Sequence, residues 1–143
     1  MKLGIVGHGH DKFKPFTMAL ARNVIEDLIK THKPTHIVSG ASHLGGIDLW
    51  AEEIAHKLEV ETEIYPPKVN IWGAPGGYKD RNLQIASASD LVVCIVVKEL
   101  PEGYSGMRFP GCYHCKGRNR LHVKSGGCWT AWKAENREWK IIG

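Results

Sequence analysis

Apolar and polar positions alternate along the chain in two different periods. Residues 2–6 (Lys-Leu-Gly-Ile-Val) form a short apolar run that stops at Gly7, the mark of a buried strand feeding a turn. From Pro15 the apolar positions Leu20, Val24, Ile25 and Leu28 recur at helical spacing, with Arg22, Glu26, Asp27 and Lys30 between them, so an amphipathic helix is expected. Residues 35–39 then read as a second strand stopped by Gly40. From Ile47 the positions Trp50, Ala51, Ile54, Ala55 and Leu58 repeat the helical pattern. Residues 60–65 alternate apolar and acidic, as a strand toward a sheet edge does, and Pro66 and Pro67 end it.

Residues 70–78, rich in glycine and proline, are a loop. Residues 80–87 predict a short helix, and 91–97 the strongest strand, apolar throughout and so covered on both faces. A last helix begins at Gly126 and a fifth strand spans 139–142. Strands alternating with helices around a doubly buried strand predict a three-layer α/β domain with a parallel sheet in the order 3-2-1-4-5.

The 143 residues, 43% hydrophobic and 24% charged, suit a single domain over 1–143 with a core of its own. The longest uncharged apolar run, 91–97, is far below the roughly 20 residues that cross a bilayer, so no membrane association is expected. The amino terminus runs directly into a Gly/His-rich turn without the pattern of a secretion signal, which points to the cytoplasm.

The net charge of +4 is concentrated. No acidic residue lies between Glu102 and Glu135, where Arg108, Lys116, Arg118, Arg120, Lys124 and Lys133 supply six positive charges, leaving 13 basic against 15 acidic groups elsewhere. That stretch also holds three of the four cysteines. Cys112, Cys115, His122 and Cys128 form C-x2-C-x6-H-x5-C, the spacing of a tetrahedral Cys3His site whose usual occupant is zinc. A redox Cys-x2-Cys would open a helix after a strand, whereas this pair is flanked by Pro110, Gly111, Lys116 and Gly117, as in a metal knuckle. His114 competes with His122 as the fourth ligand, but a residue between the two cysteines normally points away from the ion. Four protein ligands leave no position for water, so the zinc is structural. Residues 99–128 therefore read as a zinc-knuckle insertion, and Cys94 as a small core residue. Deprotonating three thiols around a divalent ion would bring the charge to about +3.

In a parallel sheet, ligands bind off the carboxyl ends of the strands, where helix amino termini present free N–H groups. Three glycine-rich turns fall there: Gly7-His8-Gly9-His10, the segment from Ser39 through Gly40, Ser42, Gly45 and Gly46 to Asp48, and Gly126-Gly127-Cys128-Trp129-Thr130. Together with Asp80-Arg81-Asn82 and Ser89-Asp90, in this order, they resemble the SLOG superfamily. Its members are Rossmann-like domains that bind nucleotides or nucleotide derivatives and are related to DNA-processing protein A and the lonely-guy phosphoribohydrolases. The resemblance covers most of residues 2–98 and 126–142 and implies a nucleotide-like ligand and, by analogy, a homodimer. It implies that Gly40, Gly45 and Gly46 let the backbone approach a phosphate and that Asp48 bonds a ribose hydroxyl. Arg81 would grip a phosphate, with Asn82 beside it, while Gly126, Gly127 and Thr130 form a second cradle. Helix capping is the other reading of Asp48 and Asn82, and a surface ion pair that of Arg81.

The departures bear on activity. The hydrolases carry G-G-x-G-T-x-x-E, and the position of the glutamate is Lys133 here, while Trp129 replaces the third glycine. Lys12 stands where G-x-G-x-x-G would end, which argues against ordinary dinucleotide binding. Three functions follow: a binding or sensing module; a nucleotide hydrolase with His8 or His10 as general base, each otherwise a turn histidine; and single-stranded nucleic-acid binding by the basic knuckle, with Tyr113 and Trp129 stacking on bases or else packed around the metal. Cys128 belongs to both the metal set and the last glycine turn, so zinc is expected to fix that turn, with Arg120 and Lys124 adding positive potential over the pocket mouth.

Overall fold

The computed structural model describes residues 1–115 and 121–143. Lys116, Gly117, Arg118 and Arg120, which the sequence places in the basic knuckle, lie outside the described residues.

Strand β1 (Lys2–Gly7) is the axis of the sheet. It pairs in parallel with β2 (His36–Ser39) on one side and with β4 (Leu91–Val97) on the other. β3 (Glu61–Ile64) and β5 (Arg137–Ile142) close the two edges, giving a five-stranded, all-parallel sheet in the order β3-β2-β1-β4-β5. Every connection must cross a face of the sheet, and four helices do so: α1 (Pro15–His32), α2 (Ile47–Lys57), α3 (Tyr78–Ala88) and α4 (Gly126–Lys133).

The period-two alternation of β4 divides its side chains between two cores. Val93, Ile95 and Val97 join Leu3, Ile5 and Ile37 under α1 and α2, where Ala21, Ile25, Ile29, Trp50 and Ile54 are buried. Val92, Cys94 and Val96 face the opposite layer with Val6, Val38, Ile85 and Ala131, and this second core also takes in Cys112, Cys115 and Cys128. The long apolar strand is thus covered on both faces, as its composition requires.

Helix boundaries follow local chemistry. Thr17 Oγ1 accepts the Lys14 N–H (2.8 Å) ahead of the Pro15 start of α1, and Lys33 ends that helix in the left-handed region at φ 47°, its N–H on the Ile29 carbonyl. α3 begins two residues before the apolar spacing indicates, because Asp80 sits inside the first turn with its carboxylate accepting the Gly76 N–H at 2.8 Å. β5 likewise starts at Arg137, since the exposed Arg137 and Glu138 still pair with Val92 and Val93. No helix among the described residues is long and apolar enough to cross a membrane.

Candidate functional site

Cys112, Cys115, His122 and Cys128 come together in the second core. Their ligand atoms lie within 4.8 Å of one another and all four residues are buried, so they are positioned to hold a metal ion. Two come from the turn that contains the short 3-10 segment Tyr113–Cys115. Cys128 comes from the first turn of α4, which Ser125 caps by accepting the Gly127 N–H on its Oγ at 3.1 Å. His122 is set by the strand end, because the next residue, Val123, donates its N–H to the Val97 carbonyl at 2.8 Å.

The histidine is oriented as a ligand would be. Its Nε2 lies 3.2 Å from Cys115 Sγ and 3.9 Å from Cys128 Sγ, while Nδ1 faces the Val123 carbonyl at 2.8 Å, so in the neutral ring the proton sits on Nδ1 and the Nε2 lone pair is turned to the thiols. His114 stands apart from the cluster, half-buried against the Tyr113 ring. From β5, Trp139 Nε1 donates to Cys128 Sγ at 3.4 Å, an outer partner that sequence spacing does not reveal. Cys94 is in the core, its Sγ 3.8 Å from that of Cys128. The proximity of Cys128, joined by burial, pushes the Cys112 thiol up from its ordinary value, and a bound cation would reverse that preference.

Above this cluster, at the carboxyl ends of the strands, lies a cavity of about 300 Å³. It sits at the switch point of the sheet, between β1, from which the chain proceeds to β2 on one side, and β4 on the other. Of the residues singled out in the sequence, Gly7, His8, Gly9, Ser42, Asp48, Arg81, Asn82, Gly126, Gly127 and Thr130 line it. Lys124, expected over the pocket mouth, lines it too, and the lining adds Lys12, Ser125 and the aromatic side chains of Trp72 and Tyr78. Among the described residues its charged groups are three cations, Lys12, Arg81 and Lys124, against the single carboxylate of Asp48.

Gly40, Gly45 and Gly46 are not among the lining residues; Gly40 and Gly46 bring the cavity walls together, while Gly45, at φ 70°, would meet only ordinary contacts. Gly46 holds φ 71°, and a Cβ there would strike the His8 carbonyl, which accepts the Ile47 N–H at 3.1 Å. That contact seats the start of α2 on the turn after β1. At Gly40 a Cβ would meet the Arg81 guanidinium, whose Nη1 donates to the Gly40 carbonyl at 2.6 Å. Gly127 permits an equally close approach of α4 to Gly7, where a Cβ would lie 2.9 Å from the amide nitrogen.

Arg81 is buried rather than held at the surface. Its Nε donates to Asn82 Oδ1 at 2.8 Å, Nη1 is taken by Gly40, and the guanidinium lies over the Tyr78 ring 5.2 Å from the centroid. Nη2 makes no hydrogen bond among the described residues. Asp48 is buried beside it, Oδ2 4.0 Å from Arg81 Nη1, and accepts the Ser42 N–H at 3.2 Å, so it ties down the Ser42 turn instead of capping its own helix. Desolvation pushes the Asp48 carboxyl up to about 6, against the pull of Arg81 and Ser42.

His8 is buried and fixed in one tautomer. Its Nε2 accepts the Val97 N–H at 3.1 Å, so the neutral ring carries its proton on Nδ1, which has no hydrogen-bond partner among the described residues. Burial lowers its pKa to about 3, with Lys12, His122 and Lys124 adding to the effect. A ring whose basic nitrogen is already bonded to the backbone is poorly placed to act as a general base. Trp129 packs edge-on against Trp72 with centroids 4.9 Å apart, so it buttresses the cavity wall. Lys133 Nζ lies 5.3 Å from the Trp129 centroid, exposed and outside the lining. Lys12, met in the sequence only as a missing glycine, and Tyr78 are the residues that spacing overlooks. Compared with protein-family models, with curated proteins and with solved structures, the chain matches none.

Proposed function

We propose that the chain binds a nucleotide or nucleotide derivative in the cavity at the switch point, as a binding or sensing module of the SLOG kind. In this reading the phosphate is held by Arg81 Nη2, Lys12, Lys124 and the opening turn of α4, and a structural zinc in the Cys3His cluster holds that turn in place. Asp48, the single carboxylate of the lining, accepts from a ribose hydroxyl, and His8 offers an N–H donor that does not titrate near neutrality. Three soft sulfur donors and one imidazole in a closed tetrahedral set favour zinc, which supplies no reactive position there and acts through the fold.

The observation that carries the reading is the convergence of three cations and a capped helix start on one cavity at the end of a parallel sheet. Binding is favoured over hydrolysis because Lys133 occupies the position of the hydrolase glutamate and the His8 Nε2 lone pair is engaged. Thermal unfolding of the zinc-loaded protein against nucleoside monophosphates, ADP and ADP-ribose tests it. A ligand at 100 times its Kd stabilises by about 2.7 kcal/mol, and Arg81→Gln should weaken that ligand at least tenfold. Absence of any shift with every phosphorylated compound would overturn the proposal.

A further inference from the structure

A second, smaller cavity of about 120 Å³ adjoins the first, and the two share a wall made by Lys12 and Lys124. The rest of its lining comes from Leu100, Tyr104, Met107, Phe109 and Val123. Apart from the two lysines its lining is apolar or aromatic, whereas the first cavity also carries Arg81 and Asp48. The shared lysines lie over its rings: Lys12 Nζ is 5.7 Å from the Tyr104 centroid, and Lys124 Nζ is 5.3 Å from that of Phe109. Tyr104 is held by its backbone N–H on the Pro101 carbonyl, and Arg108 lies over the same ring at 5.9 Å while its Nη2 donates to that carbonyl.

Two cations shared by adjoining cavities, one of them ringed by Tyr104 and Phe109, match a ligand in which a phosphate joins two groups. The phosphate meets the ammonium groups, one nucleoside occupies the larger cavity, and a flat ring meets Tyr104 and Phe109. Resting on the nucleotide reading above, we infer that the segment 99–110 supplies a second base subsite, and that the preferred ligand is a phosphate-bridged pair of nucleosides rather than a mononucleotide. Stacking of a base on an aromatic side chain is sequence-tolerant, so this subsite selects for the presence of a second base more than for its identity.

Isothermal titration of the zinc-loaded protein with AMP, ADP-ribose and the linear diadenylate pApA tests the inference. pApA should bind at least tenfold more tightly than AMP, and ADP-ribose, whose distal group is not aromatic, should stay close to AMP. Tyr104→Ala and Phe109→Ala should each remove most of the pApA advantage, roughly tenfold, while leaving AMP within twofold. Tyr104→Leu and Phe109→Leu, which keep apolar bulk, serve as controls for loop folding and should show the same selective loss. Equal affinity for AMP and pApA overturns the second subsite but leaves the nucleotide reading intact, and so does a pApA advantage that survives all four variants. Failure of all three compounds to bind overturns the second subsite, and the nucleotide reading falls with it when no phosphorylated compound shifts the thermal unfolding either.

Discussion

Asp48 and Arg81 share the burial that makes each depend on the other. Because Asp48 is raised from 3.8 to about 6 in the folded protein, the native state holds a proton through a pH range in which the unfolded chain has lost it. Its stabilising contribution is full below about pH 4 and is lost as pH rises through 6. Converted to free energy, the difference is at most about 3 kcal/mol. Asp48→Asn should therefore gain stability relative to the parent between pH 4 and 7 by up to that amount, as read by urea unfolding at each pH. A constant difference across the range would show that Asp48 is not desolvated. Arg81→Ala strips the buried Gly40 carbonyl of its donor and leaves Asp48 without its cation, and should cost about 1–3 kcal/mol in the same measurement at pH 7. Arg81 is visible in the sequence as a candidate ligand, but the sequence does not show that two of its nitrogens are already committed to Gly40 and Asn82. The bond to Gly40 is long-range, made across 41 residues, and no local pattern encodes it.

At the scale of the element, α4 is where the two halves of the site meet. Its start is capped by Ser125, packed on Gly7 through Gly127, and pinned to the Cys3His cluster through Cys128. Outer partners of metal ligands typically govern affinity by 10–100-fold when lost. Trp139→Phe removes the indole donor to Cys128 Sγ and should weaken zinc by about that factor in a chelator competition, with the fold retained. His114→Ala should leave the metal affinity unchanged, and His122→Ala should abolish a one-to-one stoichiometry. The cysteine spacing makes the metal set legible, and the sequence locates the strands and α-helices to within a few residues but not the 3-10 segment Tyr113–Cys115. Trp139 escaped because the bond runs from a strand at the sheet edge back to a helix, a relation set by the register of β5 on β4. The second turn resembles a phosphate cradle in sequence, while in the fold Gly40 and Gly46 serve close approach between walls.

For the whole molecule, an all-parallel sheet in the order 3-2-1-4-5 leaves a crevice at its switch point, and Lys12, Arg81 and Lys124 line it. The metal cluster lies in the core beneath, sharing α4 with the cavity and the Val97 strand end with His8. Metal binding and ligand binding should consequently be coupled: zinc should release close to three protons at neutral pH as the thiols ionise, measurable by titration in two buffers of different ionisation enthalpy. The same coupling should appear in the affinity for ligand. The most direct measurement is the Kd of ADP-ribose for the zinc-loaded protein and for protein stripped of metal, under conditions where far-UV circular dichroism retains the sheet. Binding at least tenfold weaker without zinc is the expected result, and an unchanged Kd would contradict the claim that the metal organises the phosphate-binding turn.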